Sequence, residues 1–291
     1  MLTRRRGRWK PWTDAPPAAP PEDRVVAPRW RATFVNHATV LLQGAGVNVL
    51  TDPVWSERVS PVRFAGPRRH RPPGVRFEDL PPLDLVLVSH DHYDHFDFPT
   101  VRRIAQAHPS AFFATGRGNG RRLAALGARR AAELDWWESA DPAPGLRVTA
   151  VPARHFSGRT LLRDRTLWAG FVVSNEAGSA YFAGDSGYGP HFAEIGARFH
   201  RIALAVLPIG AYRPRWFMQP MHISPAEAVR AAQDLGARAA IGVHFGTFEL
   251  ADDGEEEPLH ELHDALAASA GAPPFRALGF GESWDVPTGR D

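Results

Sequence analysis

The sequence predicts an α/β fold in which two sheets pack against each other and helices lie outside them. Short apolar segments rich in Val, Ile, Phe and Ala alternate with turns along most of the chain, and a few segments that read as helices lie between them. The chain has 291 residues, of which 44% are hydrophobic and 23% are charged. This ordinary globular composition excludes a wholly disordered, collagen-like or coiled-coil protein.

The predicted strands are short and apolar, and several of them end beside a His or an Asp. They span residues 32–36, 39–43, 47–51, 85–89, 111–114, 147–152, 169–174, 179–184, 203–208 and 239–243. The predicted helices span residues 98–107, 118–126, 190–198, 225–235 and 258–269.

The helix predicted over 225–235 has the strongest local signals. Ser224 and Glu227 have the spacing of a capping box, in which each side chain accepts a hydrogen bond from the other residue's backbone N–H. Pro225 occupies the first helical position, where its missing N–H costs nothing, and Gly236 provides a stop. The sequence therefore predicts a helix with a well-defined start just after residue 224.

Two regions are predicted from their composition: a flexible arm rich in Pro and Arg over residues 1–28, and a single domain over residues 29–291. The arm is basic and contains Trp9 and Trp12, so contact with an anionic membrane surface is an alternative to a free tail. Residues 52–82 form a long connection rich in Pro and Arg, and such loops are usually functional or wrap the surface.

No membrane span or cleaved secretory signal is predicted. The basic start is not followed by an apolar region. The longest stretch without Asp, Glu, Lys or Arg covers residues 32–51, but it contains Asn36, His37 and Gln43. This stretch is better explained by two strands around a turn at residues 43–46.

The absence of Cys excludes disulfides, thiolate metal sites and a Cys nucleophile. Any metal must therefore be bound by His and carboxylate side chains. With 34 basic and 32 acidic residues the net charge is only +2, which does not indicate a nucleic-acid partner.

The motif Ser89-His90-Asp91-His92-Tyr93-Asp94-His95 follows the buried strand 85–88 and is the sharpest chemical feature of the chain. Because side chains alternate along an extended segment, His90 and His92 can point the same way. After the turn, Asp94 and His95 can point at a second position nearby. Neutral imidazole and carboxylate are suitable ligands for zinc and related divalent ions.

Three more residues stand in a comparable setting. His155, Asp185 and His244 each follow an apolar strand, at the end where sheet folds usually carry their sites. Taken singly, each is better explained as a buried structural residue. Taken with the motif, they complete a plausible set of seven ligands for two metals.

These residues together resemble the metallo-β-lactamase superfamily. The resemblance implies a four-layer αββα sandwich with a dinuclear zinc site at one edge, two Zn²⁺ per chain, with Mn²⁺ or Fe as alternatives. It implies two groups of ligands joined by a bridging Asp185. One metal is held by His90, His92 and His155, and the other by Asp94, His95 and His244.

A closer resemblance is to the N-acyl-phosphatidylethanolamine-hydrolysing phospholipase D family. Asn36 precedes His37 where that family is expected to have Gly. The resemblance implies a zinc-dependent phosphodiesterase that releases phosphatidate and N-acylethanolamine. It rests on the metal motif and on His37-Ala38-Thr39, Asn48-Val49-Leu50-Thr51-Asp52-Pro53, Phe64-Ala65-Gly66-Pro67, Arg71-Pro72-Pro73, Arg213-Pro214-Arg215-Trp216-Phe217-Met218 and Met221-His222-Ile223-Ser224-Pro225.

The roles expected for this chemistry fall on five residues. Asp94 and Asp185 act at the metals. Two divalent ions lower the pKa of a shared water toward about 7, and Asp185 is expected to orient the resulting hydroxide. His222 hydrogen-bonds the phosphate or protonates the leaving oxygen, with a structural loop His as the alternative. Asp52 is expected to orient a ligand His or its loop. His37 follows a strand and could lie next to a ligand without binding the metal, but a structural role is preferred.

The segment 211–221 is unusually apolar for a loop beside a charged site. It suits an acyl chain, and packing of the loop on a sheet is an equal alternative. Its large apolar side chains are Tyr212, Trp216, Phe217, Met218 and Met221.

Other functions remain as alternatives at this point: a lactonase for a sugar phosphate, or a non-catalytic module stabilised by metal. The expected partner is a phospholipid or another phosphodiester substrate, and no nucleic acid. Peripheral contact with an anionic membrane and a homodimer are left open. The expected location is the cytoplasm, with association at the membrane periphery as the alternative.

Overall fold

The computed structural model describes residues 6–62, 64–159 and 163–288, and fourteen strands lie within them. The first sheet contains β1 (Arg31–Asn36), β2 (Thr39–Gly44), β3 (Val47–Thr51), β4 (Leu85–Val88), β5 (Phe112–Gly116), β6 (Arg130–Leu134) and β14 (Ser283–Asp285). The second contains β7 (Ser139–Ala143), β8 (Leu146–Val151), β9 (Gly170–Asn175), β10 (Gly178–Phe182), β11 (Ile202–Pro208), β12 (Ala240–Val243) and β13 (Phe275–Arg276).

Each sheet has seven strands and combines parallel and antiparallel pairs. The first has the order β14-β1-β2-β3-β4-β5-β6, and the second has the order β13-β12-β11-β10-β9-β8-β7. Strands β3 to β6 are parallel neighbours in the first sheet, as are β10 to β13 in the second. Within each of these parallel sets, the carboxyl ends of the strands therefore lie at a common edge.

The described helices flank the sheets. They are α1 (Phe98–Ala107), α2 (Gly120–Ala125), α3 (His191–Phe199), the one-turn α4 (Arg215–Met218), α5 (Pro225–Asp234) and α6 (Glu257–Ala268), with a 3₁₀ turn at Phe77–Asp79.

The layers follow from the alternation of side chains along each strand. In β4, Leu85 and Leu87 join the large core between the two sheets, whereas Val86 and Val88 pack in a second core with residues of α1 and α2. Residues of α3, α5 and α6 pack on the other side of the large core. Because both faces of a parallel strand are covered, β4 is apolar at every position. The predicted αββα sandwich is confirmed.

The predicted elements are largely confirmed, and the helix at Pro225–Asp234 has both hydrogen bonds of its capping box. Four strands and the short α4 were not predicted. Strands β6 and β7 are mostly exposed and carry little apolar alternation, and β13 and β14 have two and three residues.

Residues 6–28 contain no helix or strand. They hydrogen-bond along the domain, from Gly7 N–H to the Asp252 carbonyl and from Ala18 N–H to the Gly74 carbonyl. The flexibility of this arm stays a prediction. Among the described residues, the helices are too short or too polar to cross a membrane.

Two glycines permit the close approaches that bring the sheet ends together. A Cβ at Gly184 would lie 2.6 Å from the Ser89 Cβ, and φ there is +59°. A Cβ at Gly210 would lie 2.0 Å from the carbonyl oxygen of His244. Both neighbours belong to segments that carry predicted ligands, so only glycine fits at these two positions without moving those residues.

Candidate metal centre

Three imidazoles form the first group of the centre. His90 and His92 follow β4, and His155 follows β8 in the other sheet. The Nδ1 atom of His92 lies 2.8 Å from Nε2 of His90 and 3.2 Å from Nε2 of His155. The side chains of His90 and His155 are buried. The two sheets therefore bring together the three residues expected to bind one metal.

A carboxylate and two imidazoles form the second group. Asp94 and His95 lie in the loop after β4, and His244 follows β12. The Oδ2 atom of Asp94 lies 3.3 Å from Nε2 of His95 and 3.5 Å from Nε2 of His244. These separations fit ligand atoms that surround one ion at the usual distances of about 2.0–2.2 Å.

Asp185 lies between the two groups. Its Oδ2 atom is 3.1 Å from His95 Nε2 and 3.3 Å from His244 Nε2. The same oxygen is 3.9 Å from His90 Nε2 and 3.8 Å from His155 Nε2. A single carboxylate thus faces both groups, which is the position expected of a bridging ligand.

Buried atoms at the centre lack the hydrogen-bond partners that such atoms normally have. His95 Nε2, His244 Nε2 and Asp185 Oδ1 have none. Unsatisfied buried polar atoms are rare in proteins and commonly point to an ion or a water. Their convergence, together with the nitrogen and oxygen chemistry of the donors, fits divalent metal ions.

The pKa shifts in the metal-free centre agree with this fit. Burial, followed by the nearby imidazoles, lowers the pKa of His90 well below its ordinary value, so that ring is neutral as a ligand must be. Burial also opposes the charge on His244, but Asp185 and Asp94 outweigh it and raise its pKa to about 9. The pKa of His95 is likewise raised well above its ordinary value. The second group therefore attracts positive charge, which protons or metal ions can supply.

Asp52 hydrogen-bonds His95, one of the predicted ligands, which agrees with the orienting role expected from the sequence. It follows β3 and is fully buried. Its Oδ2 accepts a hydrogen bond from Nδ1 of His95 at 2.6 Å, and its Oδ1 accepts one from the Ser89 N–H at 2.7 Å. The contact leaves Nε2 of His95 as the atom that faces the two carboxylates, and it fixes the plane of the ring.

His222 lies beside the two groups in the loop before α5. Its Nδ1 is 3.9 Å from Asp185 Oδ2 and has no hydrogen-bond partner. Burial lowers its pKa to about 4. Arg215 holds the backbone at this point, because its Nη1 donates to the His222 carbonyl oxygen at 3.0 Å and its Nη2 contacts Glu227 at 2.7 Å.

Two contacts at this centre are not specified by the sequence. A structural role is the preferred expectation for His37, with a place next to a ligand as the alternative, and its Nε2 lies 3.0 Å from Asp94 Oδ2. Arg215 was noted only as part of a motif, and its hydrogen bond to residue 222 was not expected. A lone His after a strand does not indicate which residue it contacts. Arg215 and His222, in contrast, both lie in motifs that carry the family resemblance, and this shared membership could have indicated that they act together.

The apolar loop is divided between packing and exposure. Tyr212 is buried, whereas Trp216 is 83% exposed and Phe217 is 52% exposed. The rings of Trp216 and Phe217 contact each other at 5.6 Å on α4. One part of the loop therefore packs in the protein, and the other presents an aromatic pair to the outside.

The fold and this His/Asp centre define a metal-dependent hydrolase of the metallo-β-lactamase fold. The chain belongs to the β-lactamase superfamily, because residues 47–245 match the family model described as a β-lactamase superfamily domain.

Relatives and a solved structure agree with this placement. The chain is similar to N-acyl-phosphatidylethanolamine-hydrolyzing phospholipase D 1 of Caenorhabditis elegans, with 39% identity over an alignment of 270 residues that covers 88% of this chain and 75% of that protein. It is 34% identical over 224 residues to the mitochondrial N-acyl-phosphatidylethanolamine-hydrolyzing phospholipase D of Saccharomyces cerevisiae, covering 75% of this chain and 47% of that protein. Igni18, a metallo hydrolase from Ignicoccus hospitalis, shares the fold with a TM-score of 0.66 at 22% identity, covering 89% of this chain and 98% of that one.

Proposed function

We propose that this protein is a dinuclear zinc phosphodiesterase that hydrolyses a glycerophospholipid such as N-acyl-phosphatidylethanolamine to phosphatidate and N-acylethanolamine. The observation that carries the proposal is the position of Asp185, whose Oδ2 lies within 3.9 Å of imidazole nitrogens from both groups. The activity for which the worm and yeast relatives are named supports the choice of lipid.

The seven predicted ligands fit two ions. His90, His92 and His155 would hold one, Asp94, His95 and His244 would hold the other, and Asp185 would contact both. Ions of this kind supply a hydroxide nucleophile near neutral pH and offset the negative charge of a phosphodiester. Zinc is the proposed metal because imidazole and carboxylate ligands suit it, with Mn²⁺ or Fe as alternatives.

The chain's own residues perform the remaining tasks. Asp185 accepts a hydrogen bond from the attacking group and orients it. Asp94 Oδ2 lies 3.3 Å from His95 Nε2 and 3.5 Å from His244 Nε2, so the carboxylate would bind the same ion as these neutral rings. His222 is neutral at pH 7, since its pKa is lowered to about 4. Its ring N–H is therefore suited to hydrogen-bond a phosphate oxygen, and this role is favoured over proton donation to the leaving oxygen.

The exposed aromatic pair Trp216 and Phe217 supports a lipid substrate. These side chains lie on α4, six and five residues before His222, and they leave a large apolar area in water. Burying such side chains against an acyl chain is favourable by about 25 cal/mol per Å² of apolar surface. We propose that the acyl end of the substrate contacts this pair while the phosphodiester lies at the metal centre, and that the protein works at the periphery of a membrane.

The test measures the metal content of the protein and compares its activity on three substrates. Purified protein is analysed for bound metal and then assayed with N-acyl-phosphatidylethanolamine vesicles, a soluble aryl phosphodiester and a sugar-phosphate lactone. The proposal expects two zinc ions per chain and turnover of both diesters, but not of the lactone. Turnover of the lactone alone would replace the phosphodiesterase with a lactonase, and a metal-loaded protein inert toward all three would end the proposal.

A further inference from the structure

His37 joins the two sheets beside the metal centre, and the proposed function gives it no role. It lies in the turn between β1 and β2, in the first sheet. Its N–H donates to Thr247 Oγ1 at 2.9 Å, and its carbonyl oxygen accepts from the His244 N–H at 2.7 Å. Thr247 and His244 follow β12 in the second sheet, so the backbone of His37 connects the sheets at the ligand His244.

The side chain of His37 contacts the same group of ligands. It is 1% exposed, and its Nε2 lies 3.0 Å from Oδ2 of Asp94. Its ring centroid lies 4.1 Å from that of His244, and Phe248 packs edge-on against it at 5.3 Å. One residue therefore contacts Asp94 through its side chain and His244 through both its ring and its backbone.

The contact of His37 with Asp94 fits a hydrogen bond, and the substitutions below separate this role from ligation, because His37, Asp94, His95 and His244 also form one of the His/Asp groups that could hold a metal. Asp94, His95 and His244 are proposed to share one metal with Asp185, because Asp185 Oδ2 lies 3.1 Å from His95 Nε2 and 3.3 Å from His244 Nε2. A carboxylate oxygen has two lone pairs, so Oδ2 of Asp94 can bind a cation with one and accept an N–H with the other. The 3.0 Å separation is that of an ordinary N–H···O hydrogen bond.

We propose that His37 is a positioning residue for one of the two metals. It donates a hydrogen bond from Nε2 to Asp94 Oδ2 and so fixes the orientation of that carboxylate beside His95 and His244. The inference rests on the proposed function, which assigns Asp94, His95 and His244 to a common metal.

This role affects the two metals unequally. The contacts of His37 described above belong to Asp94 and His244, whereas His90, His92 and His155 form the other group. Loss of a hydrogen-bond partner of a ligand commonly lowers metal affinity by about 10–100-fold. The expected effect of removing the His37 side chain is therefore a selective loss of one metal.

The test compares three substitutions of His37 by zinc titration against a chromophoric competing chelator. His37→Phe keeps the ring but has no N–H. His37→Asn suits the positive φ of +47° but is too short to reach Asp94. His37→Gln places an amide N–H close to the position of Nε2 and is a poor zinc ligand.

The proposal expects His37→Phe and His37→Asn to bind one zinc with wild-type affinity and the second about 10–100-fold more weakly. His37→Gln should stay within about threefold of wild type for both ions. Thermal unfolding of the metal-free proteins identifies any variant that has lost the fold. If His37→Phe fails to fold, the comparison of His37→Asn with His37→Gln decides the outcome.

Two results would overturn the proposal. One is wild-type binding of both ions by His37→Asn or His37→Phe. The other is a loss in His37→Gln as large as in His37→Asn, which would make His37 a direct ligand. A double variant checks the same distinction: in an Asp94→Ala background, His37→Asn should cause no further loss, whereas a direct ligand would cause one. If wild-type protein binds fewer than two zinc ions, the proposed function fails instead.

Discussion

The carboxylate of Asp52 accepts a hydrogen bond from Nδ1 of His95 at 2.6 Å, although the two residues are 43 positions apart. The same carboxylate accepts the Ser89 N–H, so it joins the end of β3 to the start of the metal motif. Ser89 Oγ also lies 2.9 Å from Nδ1 of His90. Through Ser89, this one buried acid influences a ligand in each of the two groups.

Replacing this acid should weaken both metals. Asp52→Asn keeps the size of the side chain but cannot accept hydrogen bonds at both oxygens, so we expect the affinity for zinc to fall by about 10–100-fold. Competition with a chelator measures the change. Asp97→Asn is the matched control, because Asp97 is also a buried acid that accepts hydrogen bonds but lies in the cap of α1. An unchanged affinity in Asp52→Asn would contradict the role given to Asp52.

Asp185→Asn should abolish phosphodiester turnover while leaving the fold intact. The amide cannot supply negative charge to two ions, and its nitrogen cannot act as a ligand. We expect kcat to fall by at least about 10³-fold, the upper end of the range for losing one group that stabilises charge in the transition state. The circular dichroism spectrum should match that of wild type. Near-native rates in Asp185→Asn would end the two-metal mechanism.

Arg215→Ala should lower turnover without loss of metal. The Arg215 guanidinium holds the carbonyl of His222 and pairs with Glu227 at the capping box of α5. Without it, His222 is free to shift, and we expect a fall of about tenfold in kcat, because small misplacements of a reacting group are costly. Arg215→Ala should add nothing in a His222→Ala background. Additive losses in the double variant would show that Arg215 acts elsewhere.

A pH prediction comes from His191, which lies outside the metal centre. Burial, and then the charge of Arg154, lower its pKa from 6.5 to about 4. Between these values the unfolded chain binds more protons than the folded one, so the stabilisation present above pH 6.5 is lost as the pH falls toward 4. The shift corresponds to roughly 3 kcal/mol.

The measurement compares urea unfolding of wild type and His191→Gln from pH 7.5 to 4.5. Glutamine has no proton to gain in this range and keeps an N–H near Ser186, the partner of His191 Nε2 at 3.1 Å. The variant should lose less stability on acidification than wild type does. Parallel curves for the two proteins would contradict the lowered pKa.

Strands that are buried on both faces could be predicted from the sequence, because they are apolar at every position. Strands that are mostly exposed could not be predicted. Leu85-Val86-Leu87-Val88 is apolar throughout and indicates a strand by itself. In contrast, Arg130–Leu134 pairs in parallel with β5 but leaves three of its five residues exposed, so its sequence lacks a strand pattern.

The candidate site shows the same division. The seven residues predicted as ligands stay predictions, but the sequence could place them together because they lie in the loops that follow strands β4, β8, β10 and β12. The contact of His37 with Asp94 could not, because it arises from the packing of a turn in one sheet against β12 of the other. The residues next to His37 in the sequence do not indicate that its partner is Asp94, which lies 57 residues further along the chain. Side-chain pairs between sheets depend on the tertiary structure, which single-sequence patterns do not contain.

The exposed aromatic pair should matter for lipid in vesicles but not for a soluble diester. Trp216→Ala with Phe217→Ala removes the exposed aromatic side chains of α4, whereas the hydrogen bond between Arg215 and the His222 carbonyl does not involve them. We expect turnover of N-acyl-phosphatidylethanolamine in vesicles to fall at least about tenfold, since burying one such side chain is worth about 1.5–3 kcal/mol. Turnover of a soluble aryl phosphodiester should stay within about twofold. Val26→Ala, which also trims an 81% exposed apolar side chain, is the control. Equal losses on both substrates would place the pair in the catalytic machinery, and no loss on either would remove it from substrate binding.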